Sequence, residues 1–344
     1  MGNKVTYQKG KPISESISIS EGMVYPISKK LSISKKLITS ISKKFKDFKK
    51  NSALSFMALP AIILVLIFSY IPMFGIIVAF KDFRYDKGFW GSAWIGFENF
   101  KFFFTSLYAW RITRNTVCLN ALFFSLGLVG SVAFALMLHE ITKRWFVKFC
   151  QTAYFFPYFL SWVVVGFTLF AFLNMRLGIL NGLLKTIGLG PLHWYLKPEY
   201  WPAILALIYL WKTVGYFSVI YYAGLMGIDP AYYEAAAIDG ATKWQMITKI
   251  SIPLITPLMV IIILLQIGRI FYADFGMFYQ LPRNIGMLYP TTDVIDTYVY
   301  RSLRVVGDIG MSAAAGLYQA VVGLILIGTA NYLVRRINPE NALF

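Results

Sequence analysis

The sequence predicts an all-α integral membrane protein with about six transmembrane helices, and three observations predict it. Hydrophobic residues make up 58% of the 344 and charged residues only 14%, with a mean hydropathy of +0.60, outside the range of soluble domains. Roughly six apolar runs reach the ~20 helical residues that a ~30 Å hydrocarbon core demands. Lysines and arginines gather at one set of run ends, as cytoplasmic flanks do. The formal net charge of +17 therefore points to a membrane surface. No nucleic-acid role is implied, because the lysines crowd into the first fifty residues with no compact basic fold around them.

Residues 1–26 mix Ser, Lys, Gly and Glu with scattered Ile and read as a disordered cytoplasmic tail. The tetrad Ile-Ser-Lys-Lys then starts at 27, 33 and 41, while Leu31, Ile38, Ile41, Phe45 and Phe48 recur at helical spacing. This predicts a basic amphipathic helix over 27–50, lying among lipid headgroups where each Lys gains on the order of 1 kcal/mol from anionic lipid. A basic tail without that helix is the plainer reading. Both keep the N-terminus cytoplasmic. No cleavable signal is expected, since apolar character begins after residue 50.

The transmembrane domain takes the rest, 51–344, with spans near 54–80, 115–139, 148–173, 201–224, 255–275 and 309–334. An even count returns the C-terminus to the cytoplasm, beside Arg335 and Arg336. Lys143, Arg144 and Lys148 place the turn after span two inside, and Lys243 and Lys249 place the segment after span four there too. The longer loops on the other face, about 81–114, 174–200 and 276–308, carry charges of both signs and many aromatics, suited to receiving a partner or to anchoring at the interface. Cys118 and Cys150 fall at opposite membrane faces, too far apart to bridge. With His139 and His193 isolated, no metal site assembles.

Ionisable and polar groups within spans usually face protein, water or a ligand. Tyr209, Lys212 and Tyr216 share a face of span four beside Trp211; Gln266 and Arg269 share one on span five, followed by Tyr272 and Asp274; Asn120 and Gln319 lie in spans two and six. Rings and hydrogen-bonding groups together suit sugars. Two cations against one carboxylate favour an anionic oligosaccharide, such as a uronate-containing chain, over a neutral one. Helix-to-helix pairing and snorkelling are the structural alternatives for the same residues.

Residues 229–253 form the one polar segment between spans that still reads as helix. Asp229 is a good N-cap, Pro230 a good first residue, and alanines at 231, 235, 236 and 237 extend the helix. Gly240 allows a bend before a second short helix over 241–250, which Pro253 is expected to stop. A plain connector would also read this way. The spacing Glu234-Ala235-Ala236, three residues, Gly240, nine residues, Ile250, one residue, Ile252-Pro253 resembles the EAA loop of the integral-membrane permease subunits of ATP-binding-cassette importers. Only Ile252, where the motif has Leu, departs from the pattern. The resemblance covers most of the apolar part and is nearest to sugar and oligosaccharide permeases of the maltose and lipo-oligosaccharide type; the 338–344 tail looks similar too.

That resemblance implies a type I importer (MetI-like) transmembrane domain in the bacterial cytoplasmic membrane. It further implies a coupling helix inserted in an ATPase cleft through Glu234, with Gly240 letting the two short helices cross closely. A second permease subunit, two ATPase subunits carrying ATP and Mg, and an extracytoplasmic solute-binding protein complete the machine. No cofactor belongs to this chain, which has no Gly-x-x-x-x-Gly-Lys-Ser/Thr loop. Two other classes remain open. A membrane-embedded glycosyl or lipid transferase would need clustered carboxylates, whereas Asp293, Asp296 and Asp308 have no evident catalytic partner; a lone secondary transporter would need broken helices in matching halves, which the sequence does not display.

Overall fold

The computed structural model describes residues 52–101, 105–337 and 339–341. The tail expected at 1–26 and the basic helix expected at 27–50 lie outside them. Contacts divide the chain into two units, the second beginning at Phe74. In the first, α1 (Ser52–Val65) continues through a π turn, Leu66–Tyr70, to Ile71–Met73. Its apolar side chains are exposed. With Phe74–Phe80 the stretch is long and apolar enough to cross a membrane.

In the second unit, a short antiparallel pair, β1 (Lys81–Asp82) with β2 (Ala93–Trp94), precedes α2 (Leu107–His139). Ser106 caps α2 by accepting the Tyr108 N–H at 3.1 Å, so span two starts eight residues earlier than the apolar run. Next come α3 (Arg144–Phe155), α4 (Trp162–Leu173) and α5 (Trp201–Met226). The polar segment gives α6 (Pro230–Ile238), α7 (Lys243–Met246) and α8 (Ile252–Ile267). After these lie α9 (Phe275–Gln280), α10 (Ile295–Arg301) and the final span, α11 (Ile309–Ile337).

Helix α2 packs along α5 at the centre. Leu119, Phe123, Leu205 and Trp201 join Val165, Leu169 and Met277 in one core, while Val132, Ala135, Tyr221, Leu225 and Ile255 form a second toward the polar-loop end. Within a membrane such side chains hold the bundle by close van der Waals packing, since lipid is as apolar as the core they form.

Two spans depart from the sequence expectation. Span three is not one rod: Arg144–Phe159 and Trp162–Leu173 meet at 97°. Pro157 ends the first half in a 3-10 turn, and Ser161 starts the second by accepting the Val164 N–H. Among the described residues this is the one bent pair, so it is not a break repeated in matching halves. Span five runs from Lys243 to Ile267, twelve residues earlier than placed, because Pro253 does not stop the helix. It lies in the first turn of α8, directly after a π turn at Ile247–Ser251. Such a widened turn accommodates a proline ring and its missing donor. Arg269, Tyr272 and Asp274 therefore sit beyond the end of span five and are not on its face.

Candidate functional site

Where helices break, backbone groups need other partners, and the polar residues of the spans supply them. Lys212 is 7% exposed. Its ammonium donates to the carbonyls of Pro157 (3.2 Å), Tyr158 (2.8 Å) and Leu160, all at the span-three break. It also lies 5.0 Å from the Trp162 ring centre, whose Nε1 donates to Asp274 at 2.7 Å. All three ammonium donors are taken. Gly215, one turn along α5, lets the break approach: a Cβ there would overlap the Tyr154 carbonyl oxygen.

Asn120 and Gln319 act alike on the turn after span five. Asn120 Nδ2 donates to the Ile270 and Tyr272 carbonyls at 2.8 and 3.2 Å; Gln319 Nε2 donates to the Phe271 carbonyl at 2.7 Å and to Asp296 Oδ2 at 3.2 Å. Asp296 also accepts the Ala273 N–H at 2.8 Å. Burial raises its carboxyl above the usual carboxylate range, and these hydrogen bonds oppose the shift. With its folded pKa raised, Asp296 contributes most to stability when protonated, and that contribution is lost as pH rises through the folded value.

The remaining path residues are not gathered in one place. Tyr209 stacks on Phe123 at 5.2 Å and, with Gln266, lines a largely apolar cavity of about 360 Å³ between α2, α5 and α8. Tyr216 stacks on Tyr158 at 4.2 Å, facing the break. Trp211, Tyr272 and Arg269 are exposed. Arg269 has no ion pair or side-chain hydrogen bond among the described residues. Tyr158 and Trp162 were missed by sequence reasoning, although Pro157 inside an apolar run, four residues before a Ser cap, signals the break that presents them.

On the side opposite the polar loop, Asp293 is 1% exposed and pairs with Arg111 (3.3 Å) and Arg301 (2.6 Å). Arg301 lies 4.2 Å over the Tyr289 ring and donates to Asn284 Oδ1. Asp308 caps α11 through the Met311 N–H at 2.9 Å. These carboxylates serve structure and form no catalytic cluster.

The polar loop folds as a compact knob of two short helices. Asp229 Oδ1 accepts the Ala231 N–H at 2.9 Å, starting α6, and Glu234 and Ala235 are exposed on it, with Ala236 half-buried. Gly240 turns the chain at φ +76°, and a Cβ there would meet nothing within 4 Å. The bend thus needs glycine for its left-handed backbone; close crossing of the two helices is not the reason. Thr242 caps α7 in a capping box with Gln245. Ile250 lies in the π turn and Pro253 at the start of α8. Lys243 pairs with Glu140 at 2.9 Å, and Tyr233 shares a 2.9 Å hydrogen bond with buried Ser251 while its ring lies 5.6 Å from His139. The knob is tied to the end of span two, and its Glu234 side stays open.

A polytopic helical bundle with an open polar helix between two spans is the build of a membrane transport subunit driven from outside itself. The chain belongs to the family of binding-protein-dependent transport system inner membrane components, whose model matches residues 127–339. It is thus a multi-pass inner-membrane permease of an ABC transporter and not an enzyme. It is 31% identical to Protein LplB of Bacillus subtilis (strain 168) over 85% of this chain and 91% of that protein. It is 33% identical to the polygalacturonan/rhamnogalacturonan transport system permease protein YteP of the same strain, over 83% and 88%. A bacterial ABC transporter involved in the import of the acidic polysaccharide alginate, solved by crystallography, superposes with a TM-score of 0.79 at 36% identity, covering 86% of this chain and 99% of that one. A second crystal structure, of a bacterial alginate ABC transporter in complex with an alginate pentasaccharide-bound periplasmic protein, matches at 0.78 and 35% identity, over 85% and 97%.

Proposed function

We propose that this permease forms half of the path of an ATP-driven importer for an acidic oligosaccharide of the uronate class. A second permease completes the path, two ATPase subunits holding ATP and Mg bind at the α6 knob, and an extracytoplasmic binding protein delivers the sugar. Both termini and the knob face the cytoplasm. The Glu140–Lys243 pair supports this by bringing together the two basic turns, at 143–148 and 243–249, that favour that side.

The observation that carries the reading is the open, capped α6 helix presenting Glu234 in a chain that has no nucleotide loop of its own. The acidic substrate rests on the relatives named for alginate and polygalacturonan transport. The cation count contributes less than the sequence suggested, since Lys212 is fully occupied by carbonyls. Substrate-stimulated ATP hydrolysis by the reconstituted complex tests it, with tetragalacturonate-loaded binding protein against unloaded protein. No stimulation by any uronate oligosaccharide would sink the substrate assignment.

Arg269 is the remaining unpaired cation of the predicted path. Arg269→Met is expected to lower uronate uptake into proteoliposomes several-fold while subunit stoichiometry stays intact, because a charge-assisted contact is lost and no packing is disturbed. Unchanged uptake would remove Arg269 from the path.

The clamps at the end of span five make a stability prediction. Asn120→Leu leaves the Ile270 and Tyr272 carbonyls without their donor, at about 1–3 kcal/mol each. Thermal unfolding of the purified complex should move down by several degrees. An unaltered midpoint would show that other donors satisfy this turn.

A further inference from the structure

Two successive non-glycine residues, Arg283 and Asn284, take left-handed backbone angles, φ 56° and 52°. Strain of this kind persists only where the surroundings over-determine it, and here they do. Asn284 Oδ1 accepts from the Tyr289 hydroxyl at 3.0 Å and from Arg301 at 3.3 Å; Arg301 is anchored in turn on buried Asp293. The network fixes the turn that presents Arg283.

Its guanidinium lies 4.2 Å from the Phe170 ring centre and 5.6 Å from Phe167. Arg283 is exposed and has no ion pair or side-chain hydrogen bond among the described residues. The acids of this side are engaged elsewhere, Asp274 by Trp162 and Asp293 by two arginines. A cavity of about 180 Å³ opens beside it, lined by Val163, Gly166, Phe167, Tyr279, Gln280 and Arg283. Phe170 itself lines a second cavity of about 340 Å³, which carries Arg176, His193, Trp194 and Tyr195. Arg283 also acts electrostatically on the Tyr195 phenol, which burial pushes up to about 12.

We propose that Arg283 and its cavity form a carboxylate-sugar subsite on the side opposite the coupling knob, holding one uronate unit with the next toward Arg176. The ring-backed guanidinium keeps its planar donor edge for a bidentate carboxylate, while Tyr279 and Gln280 offer partners to hydroxyls. Two cavities, one lined by Arg283 and one by Arg176 and by the Phe170 on which Arg283 lies, fit a chain that repeats a carboxylate in every unit. The inference rests on the acidic-oligosaccharide reading above.

Binding to the assembled complex in nanodiscs, without binding protein, tests it with two probes: tetragalacturonate and its fully methyl-esterified, neutral form. Arg283→Gln should weaken tetragalacturonate binding about tenfold, the loss of one charge-assisted contact, with Arg283→Lys in between. Binding of the ester should change less than twofold, and the exposed substitution should leave the unfolding midpoint in place. Wild-type affinity for the acid in Arg283→Gln, or equal loss of both probes, overturns the subsite alone. Failure of the unmodified complex to bind the acid also overturns the subsite, whereas the acidic reading falls only if uronate-loaded binding protein fails to stimulate hydrolysis.

Discussion

Glu234→Ala is expected to abolish or uncouple sugar-stimulated ATP hydrolysis in reconstituted membranes while the permease pair still assembles. Glu234 lies in the second turn of a well-capped helix, exposed and without an ion pair or side-chain hydrogen bond among the described residues. Its charge has value only against a partner. Truncating one member of a desolvated interfacial pair costs roughly 2–5 kcal/mol, enough to release the ATPase subunits or to break the stroke. Gly240 separates two causes. Since a Cβ would meet nothing there, the penalty is purely the left-handed backbone, about 1–2 kcal/mol for an ordinary L-residue and less for Asn. Activity should therefore fall in the order Gly240→Asn, Gly240→Ala, Gly240→Val. Equal loss in all three would mean that a partner fills the space over Gly240. Full stimulation and stoichiometry in Glu234→Ala would reduce the knob to a connector.

Lys212→Met is expected to destroy the fold around span three rather than merely lower transport. Three carbonyls at the break lose the ammonium that donates to them; Pro157 keeps the Leu160 N–H, and the other two losses, at about 1–3 kcal/mol each, are a large share of a domain's net ~5–15 kcal/mol. Yield of monodisperse complex and its unfolding midpoint should both collapse. Gly215→Val should do the same by another route, forcing a side chain against the Tyr154 backbone. A Lys212→Met complex that is stable and selectively slow with acidic sugar would instead return Lys212 to the substrate path.

Hydropathy made most of the spans legible, and capping made the helix Pro230–Ile238 legible, because those features depend on local composition. The EAA spacing carried the family. The hidden part depends on where the backbone stops being helical. Lys212, Asn120 and Gln319 look like a lining when spans are treated as uninterrupted rods, since a polar group in lipid needs a reason. The breaks at Pro157 and after Ile267 supply that reason as unpaired carbonyls, which side-chain periodicity cannot display. Pro253 misled in the opposite sense, because only a widened turn before it reveals a helix that continues.

That widened turn has a consequence for timing within the helix. A π turn is one residue more than α geometry requires, and each residue rotates the remainder of the helix by about 100°. It therefore sets the phase between α7, with its buried Met246, and the downstream face that carries Ser251 against Tyr233 and Ile255 against α2 and α5. Deleting Thr248 would restore an ordinary helix and swing the membrane-embedded face, with Ser251 and its bond to Tyr233, by about 100° out of mesh. Knob and span behave as two gears on one shaft, keyed by a single inserted residue.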